Sequence, residues 1–392
     1  MTSSLVDRVR ERLAAQAGLE SGVLHPNAMA AAIRAESAGV VADSDVLAGM
    51  RLLQTELTGA GILEPLLRAP GTTDVLVSAP DEVWVDDGNG LRRSTIRFAD
   101  ETAVQRLAQR LALAAGRRLD DSQPWVDGHL GGLGEGGLSV RLHAVLPPIA
   151  AAGTCLSLRV LRPATQNLAA LVGSGAIAAP AAALIGDIVA ARLAFLVSGG
   201  TGAGKTTVLS ALLGTVDPAE RIVCVEDAAE LAPQHPHLVR LVARGANVEG
   251  VGEVTVRDLV RQALRMRPDR IVVGEVRGAE VVDLLAALNT GHEGGAGTVH
   301  ANSPAEVPAR MEALAAVGGL DRAALHSQLS AACQVVLHTS RARDGRRGLS
   351  EIAVLRRAPD GTVTVETAWH LDRGPGPGMP ALRQLLVERG RP

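Results

Sequence analysis

Tyrosine is absent from this chain, and Phe and Trp together supply the 1% of residues that are aromatic. Proteins that hold single-stranded nucleic acid commonly stack bases on aromatic platforms, and few are on offer here. A net charge of −3 leaves no overall basic footprint for a polyanion. Arginine clusters can still meet phosphate, so nucleic acid is disfavoured as a partner without being excluded. Cysteine is scarce too: Cys155, Cys224 and Cys333 stand far apart, with no C-x-x-C among them. That excludes a zinc knuckle or disulfide framework and predicts small buried hydrophobes in a reducing compartment. Met1 to Arg12 lacks the apolar core of a secretory signal. The longest apolar stretch, residues 176–197, contains Asp187 and Arg192, so it reads as a buried helix plus a strand and not as a membrane span. A cytoplasmic chain is expected.

Lysine is the scarcest of the charged residues. Of 39 basic side chains only Lys205 is a lysine. It sits in Gly199-Gly200-Thr201-Gly202-Ala203-Gly204-Lys205-Thr206-Thr207, which matches G-x-x-x-x-G-K-[ST]. Arginine is a planar fork and lysine a compact charge on a flexible stem, and a phosphate-binding loop needs the second kind. The flanks agree. Leu193–Ser198 is an apolar run of strand length, and Thr206–Leu213 reads as a helix, so a helix N-terminus points at phosphate. Thr206 is placed to offer its hydroxyl to Mg²⁺.

Length and texture divide the chain. Residues 1–55 look like a helical, polar-faced leader, with Leu5, Val9 and Leu13 set between Arg8, Arg10 and Glu11. Residues 56–160 read as a small α+β domain. Its strands are expected at Asp74–Val77, Val83–Val85, Leu138–His143 and Cys155–Val160, with a hairpin turn at Asp86–Gly90 and a helix over Thr102–Ala115. The glycine-rich stretch Gly128–Gly137 reads as a flexible loop. Residues 161–170 read as a linker, and 171–392 alternate strand and helix, the signature of a mostly parallel sheet covered on both faces.

A nucleotide site on such a sheet needs acids at the ends of parallel strands. Arg221–Val225 runs into Glu226 and Asp227, and Arg270–Gly274 runs into Glu275. These carboxylates are the candidates for organising Mg²⁺ and water. Thr255 with Asp258 forms an expected capping box, and Arg267-Pro268 stops the helix that follows. Arg257, Arg261 and Arg265 share one face of it, as a solvated or acid-paired stripe or as a face turned to a neighbouring subunit's nucleotide. Ser303 with Glu306 reads as a second capping box ahead of Pro304. His292 and His300, eight apart with glycines between, do not fit a helical metal pair. Spacing alone leaves each open between a structural and a functional role.

The order of these blocks resembles the type II/type IV secretion traffic ATPases. The P-loop is followed by Val225–Leu231, Met266–Arg277 and Asn289–Ser303, matching that family's Walker A, Asp box, Walker B and His box. Arg117–Asp120 and Arg141–Pro148 resemble the N-terminal domain of the Tad/Flp pilus-assembly branch, and no tetracysteine insertion of the other branches is present. The resemblance implies a hexameric, Mg²⁺-dependent ATPase with a RecA-like α/β P-loop NTPase C-terminal domain and a smaller α+β N-terminal domain. It implies ATP as substrate and inner-membrane platform proteins as partners, with the ring held peripherally at the cytoplasmic membrane. In that frame Glu275 orients water, Glu226 and Asp227 help hold Mg²⁺, and His292 and His300 sense the γ-phosphate. Arg141 and Arg159 approach the phosphates from the N-terminal domain, and Arg240 and Arg244 are fingers at the subunit boundary. The Walker B block ends Gly274-Glu275, without the common Asp before the Glu. A DNA translocase for conjugal transfer is the second reading, and a nucleotide-gated scaffold the third. No L-S-G-G-Q stretch supports an ABC transporter.

Overall fold

The computed structural model describes residues 26–36, 59–134, 137–247, 249–342 and 345–391. Of the expected leader it includes a helix at Pro26–Glu36, while Leu5, Val9 and Leu13 lie outside the described residues. The chain divides into two compact units, Met1–Leu161 and Arg162–Pro392.

The first unit is a six-stranded antiparallel sheet. Its strands are β1 (Asp74–Ala79), β2 (Glu82–Asp86), β3 (Leu91–Arg93), β4 (Trp125–Leu133), β5 (Leu138–Val145) and β6 (Cys155–Leu161), in the order β3-β2-β1-β6-β5-β4. Alternation along the strands buries Val75, Val77, Val140, Leu142, Leu156 and Leu158 on one face. The helix Glu101–Ala114 covers that face with Val104, Leu107 and Leu111. It starts at Asp100, whose carboxylate accepts the Ala103 N–H at 2.8 Å. Gly128–Gly137, expected as a flexible loop, is mostly strand. β4 runs to Leu133 against β5, with a register shift between Leu130 and Leu133 and Gly132 at φ +79°. The ladder pairs Gly128 with Leu142, and Gly132 takes its left-handed conformation in the bulge.

The second unit is built on a nine-stranded sheet. Its strands are β7 (Phe195–Gly199), β8 (Ile222–Glu226), β9 (Leu238–Val242), β10 (Arg270–Val276), β11 (Ala296–His300), β12 (Val335–Arg341), β13 (Arg347–Arg357), β14 (Val363–His370) and β15 (Gly374–Pro375). The order is β15-β14-β13-β12-β7-β11-β10-β8-β9. The run from β12 to β9 is parallel, and β13 to β15 add an antiparallel extension. Strand β7 is buried along its whole length, as a central parallel strand requires. Apolar clusters lie on both faces: Val208, Leu209 and Leu212 of the P-loop helix pack on one, Leu284, Leu285 and Leu325 on the other. Cys224 and Cys333 are buried as expected, whereas Cys155 is exposed.

β7 is flanked by β11 and β12, both later in the chain, so the carboxyl ends of β7, β10 and β11 open together at a switch in strand order. The linker residue Ala164 pairs with Leu231, and its carbonyl accepts the Ser210 hydroxyl at 2.5 Å, pinning this segment to the second unit. The Thr255–Asp258 capping box forms. The one expected at Ser303 does not. Ser303 makes no side-chain cap, and Glu306 instead accepts the Asn302 backbone and side-chain N–H groups at 3.1 Å. Among the described residues no helix is long and apolar enough to cross a membrane.

Candidate active site

The loop from Gly199 to Lys205 leaves β7 and enters the helix Lys205–Leu213. Its bends need glycine: Gly202 has φ +68° and Gly204, the N-cap, φ +94°. Gly199 is constrained by space as well, since a Cβ there would lie 2.5 Å from the Thr339 carbonyl oxygen of β12. Gly200, Thr201 and Gly202 form the exposed rim, Ala203 is buried, and Thr206 and Thr207 are half-buried at the helix start. The first-turn amides of that helix have no partner within it, which makes its start an anion site.

Lys205 is buried at 8% exposure. Its ammonium donates to the Gly199 and Gly200 carbonyls at 3.1 and 3.0 Å and lies 3.3 Å from Nε2 of His300. Burial pulls its pKa below the ordinary lysine value, and the Glu275 charge opposes that. His300 ends β11, beside Gly199 in register. Burial, then the Lys205 charge, lowers its pKa below the usual imidazole range, so the neutral ring is favoured. Its Nε2 lies 2.6 Å from Oε1 of Glu275. Oε1 is buried and makes no hydrogen bond. The other oxygen of Glu275 accepts from Arg277, which also stands 3.7 Å from Asp227. Lys205, His300, Glu275, Arg277 and Asp227 thus form one connected group at the strand ends.

Glu226 ends β8 with 3% exposure. Its Oε1 accepts the Leu231 and Glu230 amides at 2.8 and 3.1 Å, while Oε2 is buried without a partner. Burial raises its pKa to about 7. The missing Asp of the Walker B block has a steric reason: a Cβ at Gly274 would lie 2.8 Å from Cγ of Glu226. Glu226 therefore fills the space that a side chain at 274 would take. Sequence reasoning passed over Glu230, whose carboxylate is 3.5 Å from the Thr206 hydroxyl. Its signal was its place in the Val225–Leu231 block, four residues beyond Glu226. His338, also unremarked, is buried on β12 with Nδ1 2.8 Å from the Ser198 hydroxyl, bracing the P-loop strand from the side away from His300.

Among the described residues no group of three or more His, Cys, Asp or Glu is arranged to hold a metal ion. Mg²⁺ beside a nucleotide needs only one or two protein oxygens, because phosphates and water complete its shell. Thr206, Glu230 and the unpartnered oxygen of Glu226 fit that requirement. Glu275 keeps a second unpartnered oxygen nearer His300, and Asp227 is half-exposed beside Arg277.

The other candidates have these partners within their own units. His292 stands before β11, and its Nδ1 is 3.1 Å from the Ala287 carbonyl. The strand, roughly 13 Å long at 3.3 Å per residue, separates it from His300. Arg240, on the edge strand β9, reaches the Leu231 carbonyl at 3.2 Å, and Arg244 the Gly252 carbonyl at 3.0 Å. In the first unit Arg141 pairs with Asp127 at 2.6 Å and Arg159 with Asp74 at 2.8 Å, on the face opposite the core. The stripe of Arg257 and Arg261 is acid-paired, both meeting Asp283 at 2.6 and 2.8 Å, and Arg265 bonds the Arg261 carbonyl.

The geometry can be set beside known proteins. A Mycobacterium tuberculosis H37Rv protein, provisionally named a conjugal transfer protein, is 77% identical over 350 residues, covering 89% of this chain and 99% of that one. The type IV secretion system protein PtlH of Bordetella pertussis is 34% identical over 269 residues, covering 62% of this chain and 76% of its own. The ATPase DotB of Legionella pneumophila has the same fold, with a TM-score of 0.53 at 19% identity over 81% of this chain and 82% of DotB. The family model for the Type II/IV secretion system proteins matches residues 56–373. With a P-loop at the switch in strand order and that match across both units, the chain belongs to the Type II/IV secretion system protein family.

Proposed function

We propose that this chain is a Mg²⁺-dependent ATPase that powers pilus assembly or protein secretion as a hexamer. Its work would pass to inner-membrane platform proteins, which hold it peripherally at the cytoplasmic membrane. The observation that carries the reading is the convergence of Lys205, His300 and Glu275 at adjoining strand ends, beside two buried carboxylate oxygens without partners.

Phosphoryl transfer asks a protein mainly for positioning and charge stabilisation. The loop amides and Lys205 hold the β- and γ-phosphates. Glu275 orients the attacking water and takes its proton through the buried Oε1. His300, neutral beside both, donates to the transferred phosphate or to its water and links its state to Lys205. Thr206, Glu226 and Glu230 would hold Mg²⁺, with Asp227 behind water. When bound, the ion neutralises phosphate charge and polarises the bond being broken. Within the family, the Tad/Flp branch is proposed because Arg117–Asp120 and Arg141–Pro148 resemble its N-terminal domain, and three cysteines leave no tetracysteine insertion of other branches.

The test is steady-state phosphate release with Mg²⁺ and ATP. Wild type should turn over slowly, Glu275→Gln should lose at least about a hundredfold in kcat, and Lys205→Ala should lose binding. Normal turnover in Lys205→Ala would remove the P-loop from the chemistry. A conjugal DNA motor is the second reading, favoured by the name of the mycobacterial relative. Stimulation of turnover by DNA would select it.

A further inference from the structure

We propose that Arg347 is a nucleotide-binding residue of the P-loop in its own chain, gripping a phosphate that is not transferred. This rests on the reading above and extends it to a residue no motif reaches. β12 and β13 form a hairpin whose strands run past the end of β7. Thr339 faces Gly199 in register, and two residues on Arg341 faces Arg347 across the ladder. Leu337 and Leu349 pack with Val208 and Leu212 of the P-loop helix. Side chains alternate along a strand, so Leu337, Thr339 and Arg341 share a face, as do Leu349 and Arg347. Arg341 and Arg347 therefore stand on the P-loop helix's side of the sheet, beyond its N-terminus.

Proximity is direct. A Cβ placed on Gly204, the helix N-cap, would lie 4.0 Å from the Cβ of Arg347. Arg347 is exposed, and among the described residues its guanidinium makes no hydrogen bond or ion pair. The anion that a P-loop helix start collects is phosphate. His300 and Glu275 approach β7 from the β11 and β10 side, whereas Arg347 comes from the β12 side. The reacting phosphorus belongs beside Glu275, so Arg347 faces the part of the nucleotide that ATP and ADP share.

A contact present before and after transfer is uniform binding: it lowers KM and Kd without raising kcat. The test is calorimetric titration of the full chain with Mg²⁺-ADP and with Mg²⁺ and a non-hydrolysable ATP analogue, together with kcat and KM. Arg347→Ala should weaken both nucleotides by about tenfold or more, the scale of one charge-assisted phosphate contact, with kcat within about twofold of wild type. Arg347→Lys should recover part of the loss. The unliganded variant should melt with wild type. Should it melt earlier, Arg347→Gln keeps the stem, removes only the charge, and carries the same expectation. Unchanged ADP affinity in a chain whose wild type binds ADP overturns the inference alone, and so does a loss confined to the ATP analogue. A wild type that binds neither nucleotide overturns this inference and the proposed function together.

Discussion

At the residue scale, Glu226 shows how placement rewrites an ordinary carboxylate. A Glu that titrates near 4.5 in its reference state is raised here to about 7, chiefly because burial disfavours its charge. The two amides bonded to Oε1 pull the other way and do not offset it. Between those values the folded chain keeps a proton that the unfolded chain releases. Stability therefore falls as pH rises through that window, by about 3 kcal/mol in all. Glu226→Gln removes the charge and keeps an acceptor for the amides. Near pH 4 its melting temperature should match wild type, and near pH 8 it should melt several degrees higher, with Mg²⁺-dependent turnover reduced. Equal melting temperatures at both pH values would show that Glu226 is not held against its charge. The sequence marked Glu226 as an acid at a strand end, yet its burial, and the bar it sets against any side chain at 274, depend on how β8 and β10 pair. That pairing joins residues about fifty apart and leaves no local pattern to read.

At the element scale, β7 and its loop are constrained from the β12 side as tightly as from the nucleotide side. Gly199 and Gly200 look alike in sequence and differ in their surroundings. A Cβ at 199 meets backbone and hydroxyl oxygens of Thr339 at 2.5 Å, while one at 200 meets nothing within 4 Å. Gly199→Ala must move β12 or the loop and should cost about 1–3 kcal/mol. That is a drop of several degrees in melting temperature for a unit of this size, with loss of nucleotide binding. Gly200→Ala should melt with wild type, and a matching drop there would refute the steric account. Elements with strong local signals were legible: the P-loop helix, the Thr255 cap and the helix ending at Asn289 lie where periodicity and capping residues put them. β4 was not, because glycine content argues for a loop and only ladder bonds to β5 argue back. The box at Ser303 failed for a similar reason, with Glu306 drawn to the Asn302 amide. The arginine stripe on Val256–Ala263 was legible only as alternatives, and its pairing with Asp283 on the next helix depends on a contact that no local pattern shows.

At the scale of the whole molecule, the order of motifs along the chain fixed the family, because four blocks in sequence are more specific than any one. Which arginines serve the nucleotide is a different matter. Arg141 and Arg159 are tied to Asp127 and Asp74 within their own unit, through ion pairs whose arginines are 44% and 53% exposed. Exposed pairs of this kind contribute about 0–1 kcal/mol, so a phosphate on a neighbouring copy would draw either arginine away at little cost. If Arg141 acts on a neighbour, two defective chains should repair each other. Arg141→Ala supplies an intact Lys205 and Glu275, and Lys205→Ala supplies an intact Arg141. Mixed at equal amounts, at concentrations high enough for the proposed ring to assemble, they should release phosphate at a clear fraction of the wild-type rate, with neither variant active alone. Recovery must rise and then fall as the ratio is swept, since only interfaces between unlike copies are complete. A mixture that stays at the sum of its parts at every ratio would confine Arg141 to its own chain, where its bond to Asp127 would then be its role.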